Sequence, residues 1–130
     1  MLFRSIAGGT LEVLGAGDGF RTPARRAASR GEFLAVVSDE HTLSLYRGAA
    51  RSPLYQLALP DTISAAPALS EDGTAYVPLA GGALLAVAAQ GRIRGCEQVA
   101  HSELATPVLA TDGSVVVSAR EGLIAALRGD

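Results

Sequence analysis

The side chains that could carry catalysis or bind a metal are few and far apart in this sequence. His41 and His101 lie 60 residues apart, and neither has metal-ligand spacing to Cys96, the single cysteine of the chain. Asp72 and Asp112 each precede a glycine, and Asp-Gly is a typical turn sequence, so we interpret both as turn residues and not as paired acids. No Ser-His-Asp arrangement stands out. The residues alone therefore predict no catalytic, cofactor-binding or metal site.

Four arginines cluster in one short segment: Arg21, Arg25, Arg26 and Arg30. Guanidinium groups can bind phosphate, but single-stranded nucleic-acid sites interleave basic with aromatic side chains, and no aromatic residue interleaves with these arginines. The whole chain has a net charge of −2, so no global basic field gathers nucleic acid or an anionic membrane surface. We therefore interpret the cluster as an exposed loop between structural units and expect no nucleic acid as a partner.

Residues 11–19 (LEVLGAGDG) read as a strand running into a Gly-x-Gly-x-Gly loop. This segment resembles the nucleotide loop of S-adenosylmethionine-dependent methyltransferases. Thr22-Pro23 would then cap a short helix, and Asp39-Glu40 would follow the next strand, where a ribose-binding carboxylate is wanted. Against this reading, Glu12 stands three residues before the first glycine where that family prefers two, and no βαβ alternation continues downstream. The methyltransferase-like N-terminus is thus a weaker alternative.

An internal repeat supplies the elements on which these residues must be placed. Residues 64–77 align without a gap on residues 104–117 at a constant spacing of 40. A fainter copy that begins at Gly31 fits at a spacing of 42, and a further echo covers residues 8–14. At these spacings, one small side chain recurs at an equivalent position in three copies: Ser44, Ala86 and Ala126.

Each copy has the composition of short β-strands joined by tight turns. Its Asp-Gly pair suits the positive φ angles of a hairpin turn and lies between two runs rich in Val, Ala and Leu. A second Gly-containing turn and a third apolar strand follow. Pro67 and Pro107 cannot donate a ladder hydrogen bond, so they belong at the start or on the free edge of the first strand. The more polar residues 91–99 supply a fourth strand.

A four-stranded antiparallel unit that recurs about every 40 residues is typical of the blades of a β-propeller. We therefore predict an all-β fold, a partial β-propeller of about three four-stranded antiparallel blades with inner strands buried on both faces. The predicted segments are residues 8–25 (the end of one blade), 26–60 and 61–101 (two blades) and 102–130 (an incomplete blade). Residues 1–5 resemble the translated end of a sequencing adapter, and we interpret them as an artefact.

Ring closure sets a further expectation. A closed propeller needs at least about four blades, so this chain leaves sheet edges and faces open. We expect it to be a piece of a longer protein whose remaining blades close the ring. The alternative is closure by other copies of the chain. Expressed alone, the chain is expected to be oligomeric, aggregation-prone or only partly folded, because unpaired strands seek partners.

Residues 67–77 and 82–87 resemble the PQQ-like repeat family. Repeats of that family consist of a Pro-containing strand, an Asp-Gly-Thr turn, a Val/Tyr strand and a Gly-x-Leu-Tyr-Ala-Leu strand. The resemblance spans most of residues 31–128. Residues 88–94 keep the glycine that follows the last strand in that family, Gly91, but lack its aspartate, threonine and tryptophan.

The resemblance implies a propeller that can serve either of two classes of function. The family contains quinoprotein dehydrogenases, which bind pyrroloquinoline quinone and calcium, and non-enzymatic scaffolds. Because the tryptophan motif is lost and no cluster of acidic, Asn and Arg side chains marks a quinone site, we expect a non-enzymatic protein-interaction or scaffold module without a cofactor. The alternative is a fragment of a PQQ-dependent oxidoreductase. The resemblance also implies a bacterial protein of the periplasm or another extracytoplasmic compartment, with proteins as partners. No apolar run reaches the roughly 18 residues that span a bilayer.

Overall fold

A computed structural model describes the backbone of residues 2–5 and 11–15 and the complete residues 26–48, 50 and 52–128. All regular elements in these ranges are β-strands, and no helix occurs among them. Within the same ranges there is accordingly no helix that is long and apolar enough to cross a membrane.

The strands form antiparallel sheets, and within each sheet every strand pairs with the strands next to it in sequence. Sheet 1 contains β1 (Leu2–Ser5) and β2 (Leu11–Gly15). Sheet 2 contains β3 (Arg26–Arg30), β4 (Phe33–Val37), β5 (Thr42–Arg47) and β6 (Tyr55–Ala58). Sheet 3 contains β7 (Ala68–Leu69), β8 (Ala75–Pro78), β9 (Ala83–Val87) and β10 (Ile93–Gln98). Sheet 4 contains β11 (Val108–Leu109), β12 (Ser114–Ser118) and β13 (Ile124–Arg128).

Two apolar layers hold sheets 2, 3 and 4 together. The first layer joins side chains of sheets 2 and 3, and the second joins side chains of sheets 3 and 4. Strand β9 contributes to both, because alternate side chains of a strand point to opposite faces: Leu85 and Val87 pack toward sheet 2, whereas Leu84 packs toward sheet 4. An inner strand of sheet 3 is therefore buried on both faces, which explains its continuous apolar sequence and confirms the predicted all-β fold of antiparallel units.

The strand register corrects the repeat spacing predicted for sheet 2. Val37 pairs with Leu43 in sheet 2, and Pro78 pairs with Leu84 at the corresponding place in sheet 3, so the spacing is 41 and not 42. Aligning the glycines of the first turns gave the wrong value because these turns differ in length: Arg30 pairs directly with Phe33, whereas a longer turn separates β7 from β8.

A slip of one residue moves every side chain of a strand to the opposite face. At a spacing of 41, Ser44 corresponds to Leu85 and not to Ala86, and Leu45 takes the position of Ala86. Leu45 is fully buried against sheet 3. The prediction that one small residue recurs in all three copies was therefore wrong for sheet 2.

Two members of the arginine cluster, Arg26 and Arg30, are also placed differently from their prediction. Residues Arg26–Arg30 form strand β3, the first strand of sheet 2, and do not form a loop. The tight turn at Gly31, where φ is +59°, folds this polar segment back onto the apolar strand β4. Its arginines were expected in a loop because the segment has little β propensity of its own; the pairing with β4 overrides that preference.

The two connections that join sheets 2, 3 and 4 are each fixed by one buried anchor that the sequence analysis missed. Ile63 pairs with Leu79 ahead of sheet 3, and Leu104 pairs with Ala119 ahead of sheet 4. Both anchors are essentially inaccessible to solvent. They recur at a spacing of 41 while the strands that follow recur at 40, so a gapless alignment at 40 does not match them.

Candidate interaction face

Sheet 4 has two apolar faces, one packed against sheet 3 and one with no described neighbour packed on it. Its packed face comprises Leu109, Val115, Val117, Ala125 and Leu127, which contact sheet 3. The strand neighbours of these residues point the opposite way. The terminal face, as we name it, consists of those opposite-pointing apolar residues: Val108, Val116, Ile124 and Ala126.

Exposure separates the terminal face from the equivalent face of sheet 3. Leu84 lies at the position of Ile124 one repeat earlier and is 5% exposed, because sheet 4 covers it. Ile124 is 73% exposed and Val108 is 63% exposed. Of the five large hydrophobic side chains that are exposed in the described part of the chain, three belong to the sheet 4 segment: Val108, Leu123 and Ile124. Among the residues whose side chains are described, the exposed large apolar side chains are thus concentrated at this end of the stack.

The backbone aligns the terminal face into a row. Val108 pairs with Val116, and Val116 pairs with Ala126, so three apolar side chains stand side by side across the strands. In sheet 3 the corresponding row is Ala68, Tyr76 and Ala86. Strand β10 completes sheet 3 by pairing with β9, whereas no strand among the described residues pairs with the outer edge of β13. Sheet 4 therefore presents both a face and an edge.

Charge is nearly absent from the terminal face. Arg128 emerges on the same side, and its guanidinium forms an ion pair with the Asp112 carboxylate at 3.1 Å. The remaining polar neighbours on that side are the hydroxyl residues Ser114 and Ser118, which alternate with the apolar residues along β12. Such a face favours an apolar protein surface as its partner over a charged ligand.

No protein-family model matches the chain, and no curated protein matches it. Among solved structures, the chain is similar to the computationally designed Ika4 protein, at 18% identity and a TM-score of 0.74, covering 93% of this chain and 74% of that one. It is equally similar to the designed Ika8 protein, at 18% identity and a TM-score of 0.74, covering 93% of this chain and 37% of that one.

A natural protein is similar as well. BamB from Moraxella catarrhalis matches at 25% identity with a TM-score of 0.68, covering 79% of this chain and 31% of its own. BamB is a PQQ-like β-propeller protein, and a designed propeller is another neighbour. Sheets 2, 3 and 4 are blades of a β-propeller. The chain spans about a third of the length of BamB and of Ika8.

The two aspartates that the sequence assigns to turns lie in the first hairpin of successive blades. The Thr74 N–H donates to Asp72 Oδ1 at 3.0 Å, and the Ser114 N–H donates to Asp112 Oδ1 at 2.9 Å. The hydroxyls of Ser70 and Ser114 also donate to these carboxylates. The hydroxyl hydrogen bonds first, and the N–H hydrogen bonds second, favour the ionised form and lower the pKa of both carboxyls. The predicted role in turns is confirmed.

These pKa shifts predict an acid-sensitive fold. Because the folded-state pKa is lowered, the carboxylates stabilise the protein fully above the unfolded-state pKa of about 3.9, and this contribution is lost as the pH falls below it. The double substitution Asp72→Asn and Asp112→Asn keeps an acceptor oxygen but removes the charge. We expect it to reduce the drop in urea midpoint between pH 7 and pH 3, whereas Glu97→Gln, on the exposed strand β10, should leave that drop unchanged. An unchanged drop in the double variant would contradict the prediction.

The remaining candidate residues are not brought together. His41 and His101 lie in exposed bends of different blades, as expected, and Cys96 is exposed on β10. Across the described ranges, no three His, Cys, Asp or Glu side chains converge in a way that could hold a metal ion. The Gly-rich loop of the methyltransferase alternative beyond Gly15, together with Arg21 and Arg25, lies outside the described residues.

An open cleft of about 690 Å³ lies between the two four-stranded blades, sheets 2 and 3. Its lining includes the apolar side chains of Phe33 and Leu54 together with three carboxylates. Those carboxylates already have partners. Glu32 pairs with Arg47 at 2.9 Å and Glu71 pairs with Arg30 at 3.5 Å, and Asp72 accepts the hydrogen bond from the Thr74 N–H in its turn. The three carboxylates of the cleft are therefore already paired, whereas the apolar side chains of the terminal face are uncovered.

Proposed function

We propose that the chain is part of a non-enzymatic β-propeller that acts as a protein-interaction or scaffold module, with the terminal face as its protein-binding surface. The contrast between Leu84 and Ile124 carries this proposal, because the same repeat position is buried by the next blade in one case and open to solvent in the other. Contiguous exposed apolar side chains mark interaction sites in soluble proteins.

The energetics of the terminal face fit protein binding. Each square ångström of apolar surface removed from water contributes about 25 cal/mol, so covering side chains as exposed as Ile124 and Val108 contributes on the order of 1 to 2 kcal/mol each. The face is a sheet surface on a packed blade, so little conformational entropy is lost when it binds. Covering it also shields a row that promotes aggregation if left open.

The likeness to BamB supports a propeller module of the PQQ-like type. Because the chain spans only 31% of BamB, the partners and the compartment of the whole protein remain predictions here. The same holds for the blade boundaries at residues 25/26, 60/61 and 101/102. The propeller blades themselves are the shared feature on which the proposed module rests.

Photo-crosslinking tests the binding surface directly. A benzophenone amino acid placed at position 124 is expected to form a covalent protein adduct in extracts of the source cells, because the side chain would be buried in the interface. The matched control is the same probe at position 93, since Ile93 is also an exposed isoleucine, at 54%, but lies on the outer strand β10. Equal labelling at both positions, or no adduct at position 124, would refute the proposed function.

A further inference from the structure

The open cleft between sheets 2 and 3 lies where turns from both blades meet. Its walls come from four connections: β3–β4 and β5–β6 in sheet 2, and β7–β8 and β9–β10 in sheet 3. The two blades share one apolar layer, so the cleft is formed by their own packing and needs no further blade. Its chemistry can therefore be judged from the described residues.

Two apolar side chains of the cleft are replaced by polar ones at the same repeat positions of the next blade. Phe33 corresponds to Thr74 at the spacing of 41, and Leu54 corresponds to Arg94 in the register of the outer strands. In sheet 3 the Arg94 guanidinium donates to Thr74 Oγ1 at 3.3 Å. The repeat thus accepts polar residues at both positions, yet Leu54 is apolar and 49% exposed. The blade fold does not require this apolar pair.

The apolar floor of the cleft is held in place by its packing. A Cβ added to Gly73 would lie 2.8 Å from two carbons of the Phe33 ring, so the ring packs directly on the β7–β8 turn. The Arg47 guanidinium lies over the same ring, 5.6 Å from its centroid. A floor that is already formed loses little conformational entropy when a ligand binds to it.

The rim of the cleft is acidic. Of the described residues that line it, three carry carboxylates and one, Arg47, carries a positive charge. The Glu71 side chain is 87% exposed, and its ion pair with Arg30 spans 3.5 Å. Exposed ion pairs of this kind contribute little stability, so a cation from a partner can take the place of Arg30. Gln90, which is exposed on the β9–β10 turn, carries an amide that can hydrogen-bond to a peptide backbone.

We infer that the cleft is a second binding site, which takes a short extended peptide that carries a basic side chain next to an apolar one. The apolar side chain covers Phe33 and Leu54, and the basic side chain pairs with Glu71. The open shape of the cleft favours a peptide over a small molecule, because small-molecule sites enclose most of their ligand. The acidic rim selects a basic peptide over an acidic one. This inference goes beyond the proposed function, since the cleft shares no residue with the terminal face.

Titration of the fluorescently labelled chain with peptides tests the inference. Cys96, the single cysteine, is exposed on β10 and does not line the cleft, so it can carry the fluorophore. Microscale thermophoresis then compares three peptides of equal length, built from alternating Leu and Arg, Leu and Glu, or Ser and Arg. The Leu/Arg peptide is expected to bind with a Kd below about 1 mM and at least about tenfold more tightly than either of the others, because only it matches both the floor and the rim.

Variants locate the binding to the cleft. Glu71→Lys should weaken binding of the Leu/Arg peptide at least about tenfold, and Leu54→Ser about threefold or more. The matched controls are Glu97→Lys and Ile93→Ser on the exposed strand β10, which should leave the Kd within about twofold of the wild type. Ile124→Glu, in the terminal face, should also leave it unchanged.

The outcomes separate this inference from the proposed function. A Leu/Arg peptide that fails to bind up to about 1 mM, or that binds no better than either of the other peptides, would overturn the inference. Equal losses from Glu71→Lys and Glu97→Lys would overturn it as well, because binding would then follow the net charge and not the cleft. Each of these results leaves the proposed function intact, which the probe at position 124 tests. Failure of that crosslink, in turn, leaves the peptide site in the cleft standing.

Discussion

Replacing Gly82 with alanine is expected to lower the free energy of unfolding by about 3 kcal/mol or more. Gly82 has a φ of +93°, which alanine adopts only with strain, and an added Cβ would lie 2.2 Å from the carbonyl oxygen of Ala100. That segment is held in place, because the N–H groups of Val99 and Ala100 both donate to the Gly82 carbonyl, at 2.9 and 3.1 Å. Relief of the clash would therefore break hydrogen bonds in the connection to the last blade.

Gly122 provides the matched control, since it occupies the same turn position one blade later. Its φ is +98°, but nothing lies within 4 Å of the position of an added Cβ. Gly122→Ala should therefore show only the backbone strain, on the order of 1 to 2 kcal/mol. Urea unfolding of both variants measures the difference. Equal losses would mean that the connection does not pack over the Gly82 turn as described.

Much of this blade architecture is predictable because the chain repeats itself. The gapless alignment of residues 64–77 on 104–117 correctly pairs the hairpins of two blades, and Asp72 and Asp112 serve their turns as composition indicates. The fourth strand of the middle blade was expected in residues 91–99 and is formed by Ile93–Gln98. Local turn chemistry and strand periodicity are sufficient for these features, because both depend on residues close together in sequence.

The features that could not be predicted depend on contacts between distant residues. Glycine positions suggested a spacing of 42 for the first complete blade, but only the strand register shows that its turn is shorter and that Leu45, not Ser44, faces the next sheet. The strand Arg26–Arg30 has no apolar face that would reveal it in the sequence. The terminal face could not be predicted for a different reason. Ile124 and Leu84 occupy equivalent positions in the sequence repeat, and only the presence or absence of a neighbouring blade over them distinguishes their exposure.

Leu84 and Ile124 allow the same substitution to be compared at one repeat position that is buried in one blade and exposed in the next. Leu84→Glu should lower the free energy of unfolding by about 4 kcal/mol or more, because it places an unpaired carboxylate between two blades. Ile124→Glu, at the same repeat position, should change the monomer by no more than about 0.5 kcal/mol, because the carboxylate stays in water. Chemical denaturation of the two variants and the wild type measures both losses. Should Leu84→Glu fail to fold, Leu84→Ala is expected to lose about 2 to 5 kcal/mol and keeps the comparison measurable. A loss for Ile124→Glu as large as the loss for Leu84→Glu would show that the Ile124 side chain is buried within its own chain, and the terminal face would not exist.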